Sequence, residues 1–227
     1  MHEFQPLRAF HVYNNHMVNV YVADDHAMLR AGLKSILSEV EDIEIIGETD
    51  DTKHLIREIR QLEVDILLLD ISMPGPGFLE ILSRIRHVND GLIKVLVLST
   101  HPEEQYAIRA IKAGAEGYLT KENSPNELIK AIRVIYEGKR YISPSFAEIL
   151  ANDVVSGEST TILHDSLSSR EYQILCLLGK GTTVTEIANS LSLSPKTIST
   201  YRNRLFKKLN FQNNADLIHY VIDNKLL

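Results

Sequence analysis

The first two thirds of the chain alternate short apolar runs with stretches of helical periodicity. The runs are Val18-Asn19-Val20-Tyr21-Val22-Ala23, Ile66-Leu67-Leu68-Leu69, Lys94-Val95-Leu96-Val97-Leu98 and Gly117-Tyr118-Leu119-Thr120. A run as short as Ile66–Leu69, stopped by Met73-Pro74-Gly75, reads as a strand buried on both faces. Between the runs, Leu29, Leu33, Ile36, Leu37 and Val40 recur at helical spacing, as do Leu55, Ile59 and Leu62. Ser124-Pro125-Asn126-Glu127 combines an N-cap serine, a proline at the first helical position and a capping-box glutamate, opening a helix that buries Leu128, Ile132 and Ile135. Strands are predicted near residues 18–24, 43–48, 65–70, 94–99 and 117–121. Their alternation with helices predicts an α/β domain, a five-stranded doubly wound parallel sheet.

Beyond residue 165 the pattern becomes helical throughout. Ser168-Ser169-Arg170-Glu171 and Thr183-Val184-Thr185-Glu186 are capping boxes, and Ser194-Pro195 pairs an N-cap with a first-position proline. The second and third helices are separated by little more than Ser192-Leu193-Ser194, the proportions of a helix-turn-helix. A fourth helix, opened by Asn213 or Asn214, carries Leu217, Ile218, Val221 and Ile222. An all-α, four-helix domain follows. Gly138 ends the last helix of the preceding domain, Ser145–Val155 has the makings of a connecting helix, and Ser156–Thr161 has linker composition. The predicted organisation is 17–141, a linker over 142–164, and 165–227. Residues 1–16 lack periodicity, and Met17-Val18-Asn19-Val20 is a natural chain start, so that segment is expected to be dispensable.

Composition narrows the class. Of 227 residues, 44 % are hydrophobic and 24 % charged, ordinary for a globular protein of two domains. No apolar stretch approaches the roughly 18 residues of a membrane helix, and the first sixteen residues do not follow a signal-peptide plan. A soluble cytoplasmic protein without membrane association is expected. Cys176 is the only cysteine, excluding an intrachain disulfide and reading as a small helical filler. The nine histidines show no metal-motif spacing. From Leu163 to Leu227 there are eight basic and five acidic residues, a net of +3. The rest therefore carries −9 of the overall −6. Such a division fits a second domain that approaches a polyanion and a first domain that covers it when none is present.

The polar residues at the strand ends carry the chemistry. In a parallel sheet Asp24-Asp25, Asp70, Ser99-Thr100 and Lys121 converge on the carboxyl edge, where open α/β sheets place ligands. Three clustered carboxylates repel one another and suit a hard cation, Mg²⁺. With an ammonium and a hydroxyl they suit phosphoryl transfer onto the central carboxylate, Asp70. A single such residue does no more than end its strand; four in this order make that bland reading hard to sustain. In the second domain, the helix Pro195–Leu209 places Ile198, Leu205 and Leu209 on one side. Lys196, Ser199, Thr200, Asn203 and Lys207 lie opposite, bordered by Arg204 and Lys208. A solvated face has a similar look, but short polar groups beside cations fit a major groove, where Asn pairs with adenine.

Val18 to Tyr141 resembles the receiver domain of two-component response regulators, on Asp24-Asp25, Asp70 with Met73-Pro74-Gly75, Ser99, Tyr118 and Lys121. The resemblance implies a flavodoxin-like fold and phosphorylation of Asp70 by a histidine kinase. It implies that Asp24, Asp25, Asp70 and the Ser72 carbonyl hold Mg²⁺, that Ser99 and Lys121 contact the phosphoryl group, and that Tyr118 reorients with Ser99. Side chains at Ser72 and His101 are implied to border the path of an attacking water. Phe78 departs from the glycine common in the loop after the acceptor and is expected to narrow access.

Leu167 to Leu227 resembles the LuxR-type DNA-binding domain, on Leu167-Ser168-Ser169-Arg170-Glu171, Thr185-Glu186-Ile187-Ala188, Ser194-Pro195-Lys196-Thr197-Ile198 and Lys207-Lys208-Leu209. It implies base contacts from Ser199, Thr200 and Asn203 and phosphate contacts from Lys196, Thr197, Lys207 and Lys208; Tyr201 stands where many relatives have histidine. Together the halves resemble a NarL/FixJ-family response regulator, a transcription factor and not an enzyme. Its implied partners are a histidine kinase, double-stranded promoter DNA, a second copy when phosphorylated or DNA-bound, and RNA polymerase. Three alternatives fare worse. A ligand-gated LuxR factor wants an aromatic-lined pocket, and the chain has no Trp. A haloacid dehalogenase-type phosphatase wants an aspartate where Ser72 stands. A phosphate-independent receiver leaves the intact acidic set unexplained.

Overall fold

The structure, a computed structural model, describes residues 17–73, 78–88, 92–156, 164, 167–191, 193–224 and 226. The expectation for residues 1–16, the Pro74-Gly75 turn, most of the 156–161 linker and Ser192 lie outside them. Five strands, β1 (Val18–Ala23), β2 (Ile43–Thr49), β3 (Ile66–Asp70), β4 (Lys94–Ser99) and β5 (Gly117–Thr120), pair in parallel in the order β2-β1-β3-β4-β5. Between them run α1 (Ala27–Ser38), α2 (Thr52–Ile59), α3 (Phe78–Ile85) and α4 (Glu103–Lys112), with α5 (Pro125–Tyr136) after β5. The chain reverses direction at β1, and the crevice between β1 and β3 is the topological switch point of a doubly wound sheet.

Successive strand residues point to opposite faces. Ile66 and Leu68 pack with Leu33, Leu37, Ile132 and Ile135 under α1 and α5. Leu67 and Leu69 pack with Leu55, Ile59, Ile81 and Tyr106 under α2, α3 and α4. Gly117 admits the close approach of Tyr141, since a Cβ there would lie 3.0 Å from Ile135 and Leu96 and 3.1 Å from Tyr141. The Ser124 cap on α5 is only half of the expected box. Ser124 accepts from the Glu127 amide, while the Glu127 carboxylate accepts from the Tyr141 hydroxyl.

The connecting helix expected over Ser145–Val155 is α6 (Pro144–Ser156). It is held to the start of α4 by Glu103, which accepts from Ser143 and Ser145. The second domain consists of α7 (Ser169–Gly179), α8 (Val184–Ser190), α9 (Pro195–Leu209) and α10 (Asn214–Asp223). Both sequence-read capping boxes are formed, and Asn213 with Asp216 adds a third. Ile174, Ile187, Ala188 and Ile198 form the small core between α7, α8 and α9. Asn210, with φ of 57°, turns the chain out of α9.

Candidate phosphoryl-acceptor site and DNA-reading helix

Strand register brings the acidic residues together. Ala23 pairs with Leu69, Asp70 with Leu98 and Ser99 with Thr120, so Asp24, Asp70, Ser99 and Lys121 share one sheet edge. Asp24, Asp70 and Ser99 are buried, whereas Asp25 is exposed. The Lys121 ammonium bridges two carboxylates, 2.7 Å from Asp24 Oδ2 and 2.8 Å from Asp70 Oδ2. The Ser72 amide donates to Asp70 Oδ1 at 2.8 Å, fixing the second acceptor oxygen.

Burial raises the Asp70 carboxyl above the ordinary carboxylate range, against the pull of Lys121 and the Ser72 amide. Burial opposes the charge of Lys121, but its bonds to Asp24 and Asp70 outweigh that and raise it. One ammonium cannot balance three carboxylates. One oxygen from each of Asp24, Asp25 and Asp70, together with a nitrogen of His26, lies within 4.8 Å of the others. The Ser72 hydroxyl beside them is buried, with no hydrogen-bond partner among the described residues. This donor set and its excess negative charge fit a divalent cation.

A line of contacts leaves the site. The His101 amide donates to Ser99 Oγ at 2.9 Å, and the His101 carbonyl accepts from the Tyr118 hydroxyl at 2.9 Å. Tyr118 is buried, turned inward. The His101 ring stacks on Tyr106 with centroids 4.7 Å apart, and Tyr106 meets Tyr172 of α7 edge-on. Arg109 of α4 lies 4.3 Å over the Tyr172 ring and donates to the His164 and Leu167 carbonyls. The His101 ring, expected to border the path of an attacking water, has Tyr106 as its stacking partner. Phe78, expected to narrow access to the acceptor, begins α3, is buried, and packs with its ring centroid 6.2 Å from that of Tyr106.

In the second domain Lys196, Ser199, Thr200, Asn203, Arg204 and Lys207 are exposed on α9. Ser199 and Thr200 return their hydroxyl protons to the Pro195 and Lys196 carbonyls, and Thr197 shares a 2.8 Å hydroxyl contact with Ser194 at the cap. Lys208 differs: its ammonium is 2.6 Å from Glu171, tying α9 to the capping box of α7. Burial works to raise the Glu171 carboxyl, but Lys208 and Ser168 outweigh it and hold it low.

The expected covering of this domain by the acidic one takes a different form. The receiver contact falls on α7, through aromatic rings and Arg109, and leaves the polar face of α9 open. Sequence reasoning missed Tyr106, Arg109 and Tyr172, which look like ordinary helix residues. It also missed His26, whose position directly after Asp24-Asp25 was an available signal.

Residues 20–133 match the response regulator receiver domain, and residues 165–221 match the bacterial regulatory proteins of the luxR family. The chain is 39 % identical over 211 residues to response regulator UvrY of Escherichia coli, covering 92 % of this chain and 96 % of that protein. It is 36 % identical to response regulator GacA of Pseudomonas aeruginosa over 201 residues, 88 % of this chain and 94 % of that one. Among solved structures, RcsB of Salmonella enterica serovar Typhimurium bound to promoter rprA in the presence of phosphomimetic BeF3⁻ is similar, with a TM-score of 0.59 and 27 % identity. That match covers 90 % of this chain and 98 % of RcsB. Among the described residues no helix is long and apolar enough to cross a membrane.

Proposed function

This chain belongs to the NarL/FixJ-family response regulators, a receiver joined to a LuxR-type DNA-binding domain; on that premise we propose that it is a transcription factor switched by phosphorylation of Asp70. A histidine kinase supplies the phosphoryl group. The P–N bond to the kinase imidazole breaks, a P–O bond to an Asp70 oxygen forms, and the departing imidazole takes up a proton. Asp24, Asp25, Asp70 and the Ser72 carbonyl would hold Mg²⁺, which when bound neutralises charge on the transferring group. Lys121 moves its ammonium from the carboxylates to a phosphoryl oxygen, and Ser99 donates its hydroxyl to another.

The observation that carries this reading is the buried Asp70 carboxylate bridged to Asp24 by Lys121. If Ser99 turns toward a phosphoryl group, it leaves the His101 amide. The Tyr118 hydroxyl, bonded to the same residue, moves with it. The His101–Tyr106–Tyr172 contact then loosens and frees the DNA-binding domain to pair with a second copy. Ile218 and Ile222, exposed one turn apart on α10, supply an apolar surface for that pairing. The α9 face of Lys196, Ser199, Thr200, Asn203 and Lys207 enters the major groove of promoter DNA, with Thr197 at the phosphate border, while Lys208 stays paired with Glu171. Such a regulator works in the cytoplasm and meets RNA polymerase at the promoter. It accepts phosphate without turning over a substrate.

Incubation with acetyl phosphate and Mg²⁺ tests the reading. The expected product is a base-labile and hydroxylamine-labile acyl phosphate, absent from Asp70→Asn and absent with chelator. Labelling that persists in either control overturns it.

A further inference from the structure

We propose that Arg170 is a DNA-phosphate contact that the receiver keeps out of reach: with the domains docked its guanidinium is buried between them, and on separation it grips a backbone phosphate beside α9. The inference rests on the reading that phosphorylation of Asp70 separates the domains. Docking leaves the polar face of α9 open, so any effect of separation on DNA affinity comes from pairing or from groups outside that face.

Arg170 is the second residue of α7 and only 8 % exposed, the one buried basic side chain among the described residues of the DNA-binding domain. It faces a cleft lined by Ile71, Met73, Phe78, His101 and Tyr106 of the receiver. Its guanidinium donates to Gln173 Oε1 at 2.7 Å, and no carboxylate pairs with it among the described residues. Burial lowers the guanidinium below its ordinary value, against the pull of the Tyr201 and Tyr106 hydroxyls. A cation buried without an acid works against docking. Leu or Met would fill the same space at no such cost, so packing alone does not account for a charge here.

The charge stands where separation brings it to DNA. At the helical period, Tyr201, Arg204 and Lys208 follow one another along the edge of α9 between its core side and its reading face. The first turn of α7 runs beside that edge: Glu171 holds Lys208, and Arg170 is within electrostatic reach of Tyr201. The Arg204 guanidinium lies 5.9 Å over the Tyr201 ring, so Tyr201 has one arginine of α7 and one of α9 as neighbours. A helix seated in the major groove meets phosphates along its borders. The fork of an arginine matches a phosphate with two parallel hydrogen bonds, and giving up Gln173 frees it to do so.

Salt titration of DNA binding by the full-length protein tests the proposal, with wild type, Arg170→Gln and Arg170→Lys compared before and after treatment with acetyl phosphate and Mg²⁺. Tyr106→Ala, alone and combined with Arg170→Gln, opens the contact without phosphate. Arg170→Gln should lower the slope of log K against log salt by about 0.9 per protomer in the phosphorylated protein and in Tyr106→Ala, on specific and scrambled duplexes alike. In the docked, unphosphorylated protein the loss should be well below this. Arg170→Lys keeps the charge and should keep the slope. No loss in either opened state, an equal loss in the docked one, or a loss as large in Arg170→Lys overturns the proposal. A loss seen in Tyr106→Ala but not on phosphorylation leaves the Arg170 contact standing and overturns separation by phosphate.

Discussion

The Tyr106 ring of α4 meets the Tyr172 ring of α7 edge-on, with centroids 5.2 Å apart and planes at 89°. These two residues join the receiver domain to the DNA-binding domain. Aromatic pairs in this geometry contribute about 0.5–1.5 kcal/mol beyond the area they bury. Behind Tyr106 stands His101, whose amide is held by Ser99. A side chain in the acceptor site is therefore three contacts from the second domain.

Cys176 lies in the same buried cluster, and burial pushes its thiol up to about 11. As the only cysteine, it reports on this contact. Phosphorylation of Asp70 should raise the alkylation rate of Cys176, and Tyr106→Ala should do so without phosphate, by about tenfold for a loss near 1.4 kcal/mol. If Cys176 reacts at one slow rate in all three states, the two domains do not separate on activation.

The same contact should weaken in acid. Burial lowers the His101 imidazole below its ordinary value, helped by the Lys180 and Lys121 charges. Arg170, itself held down by burial, also faces this cleft. The docked state therefore binds fewer protons than the open one, so docking is strongest above the ordinary histidine value of about 6.5. It is lost progressively as pH falls from there through the lowered value. Cys176 alkylation, corrected for thiolate fraction with a free thiol standard, should accelerate between about pH 7 and 5. His101→Gln should flatten that profile, because the Ser99 and Tyr118 bonds use the His101 backbone. An unchanged profile in His101→Gln assigns the titration elsewhere.

The sheet, the caps and the faces of α9 were legible because each is written locally, in strand-end residues, capping pairs and helical period. Asp70 and Lys121 could be brought together from sequence because parallel strands align their carboxyl ends. The domain contact could not. Tyr106, Arg109 and Tyr172 carry the same helical spacing whether they bury against their own domain or another. Glu127 shows the same limit on a smaller scale. Its place in a capping motif was clear, but the choice of Tyr141 over the Ser124 amide depends on Gly117 letting Tyr141 approach.

Loss of phosphate from Asp70 should be slow. Hydrolysis needs a water held in line, and the Ser72 side chain is short. The phosphorylated form is expected to last many minutes, and Ser72→Asn, with a longer donor and acceptor, should shorten it. A wild-type half-life of seconds would refute this.

The three α9 residues Asn203, Lys207 and Lys208 should fail in three ways. Asn203 is exposed at the centre of the reading face, with a donor and an acceptor for a base edge. Asn203→Ala should cost roughly 1–3 kcal/mol on the preferred site and relax preference there. Lys207 is exposed and forms no ion pair among the described residues, so Lys207→Ala should weaken all sequences alike and reduce the slope of log K against log salt by about 0.9 per protomer. Lys208 is bound to Glu171, whose side chain is 4 % exposed. Lys208→Ala should therefore destabilise the folded domain by roughly 1–2 kcal/mol in urea titration, the cost of a charged hydrogen bond. That stabilisation is present above the ordinary carboxylate value and lost as pH falls through the lowered Glu171 value, so the variant and wild type should converge in acid. Titrations on specific and scrambled duplexes at several salt concentrations separate the first two. If Lys208→Ala instead leaves stability unchanged and reduces the salt slope as Lys207→Ala does, its ammonium serves DNA phosphate and the Glu171 pair is incidental.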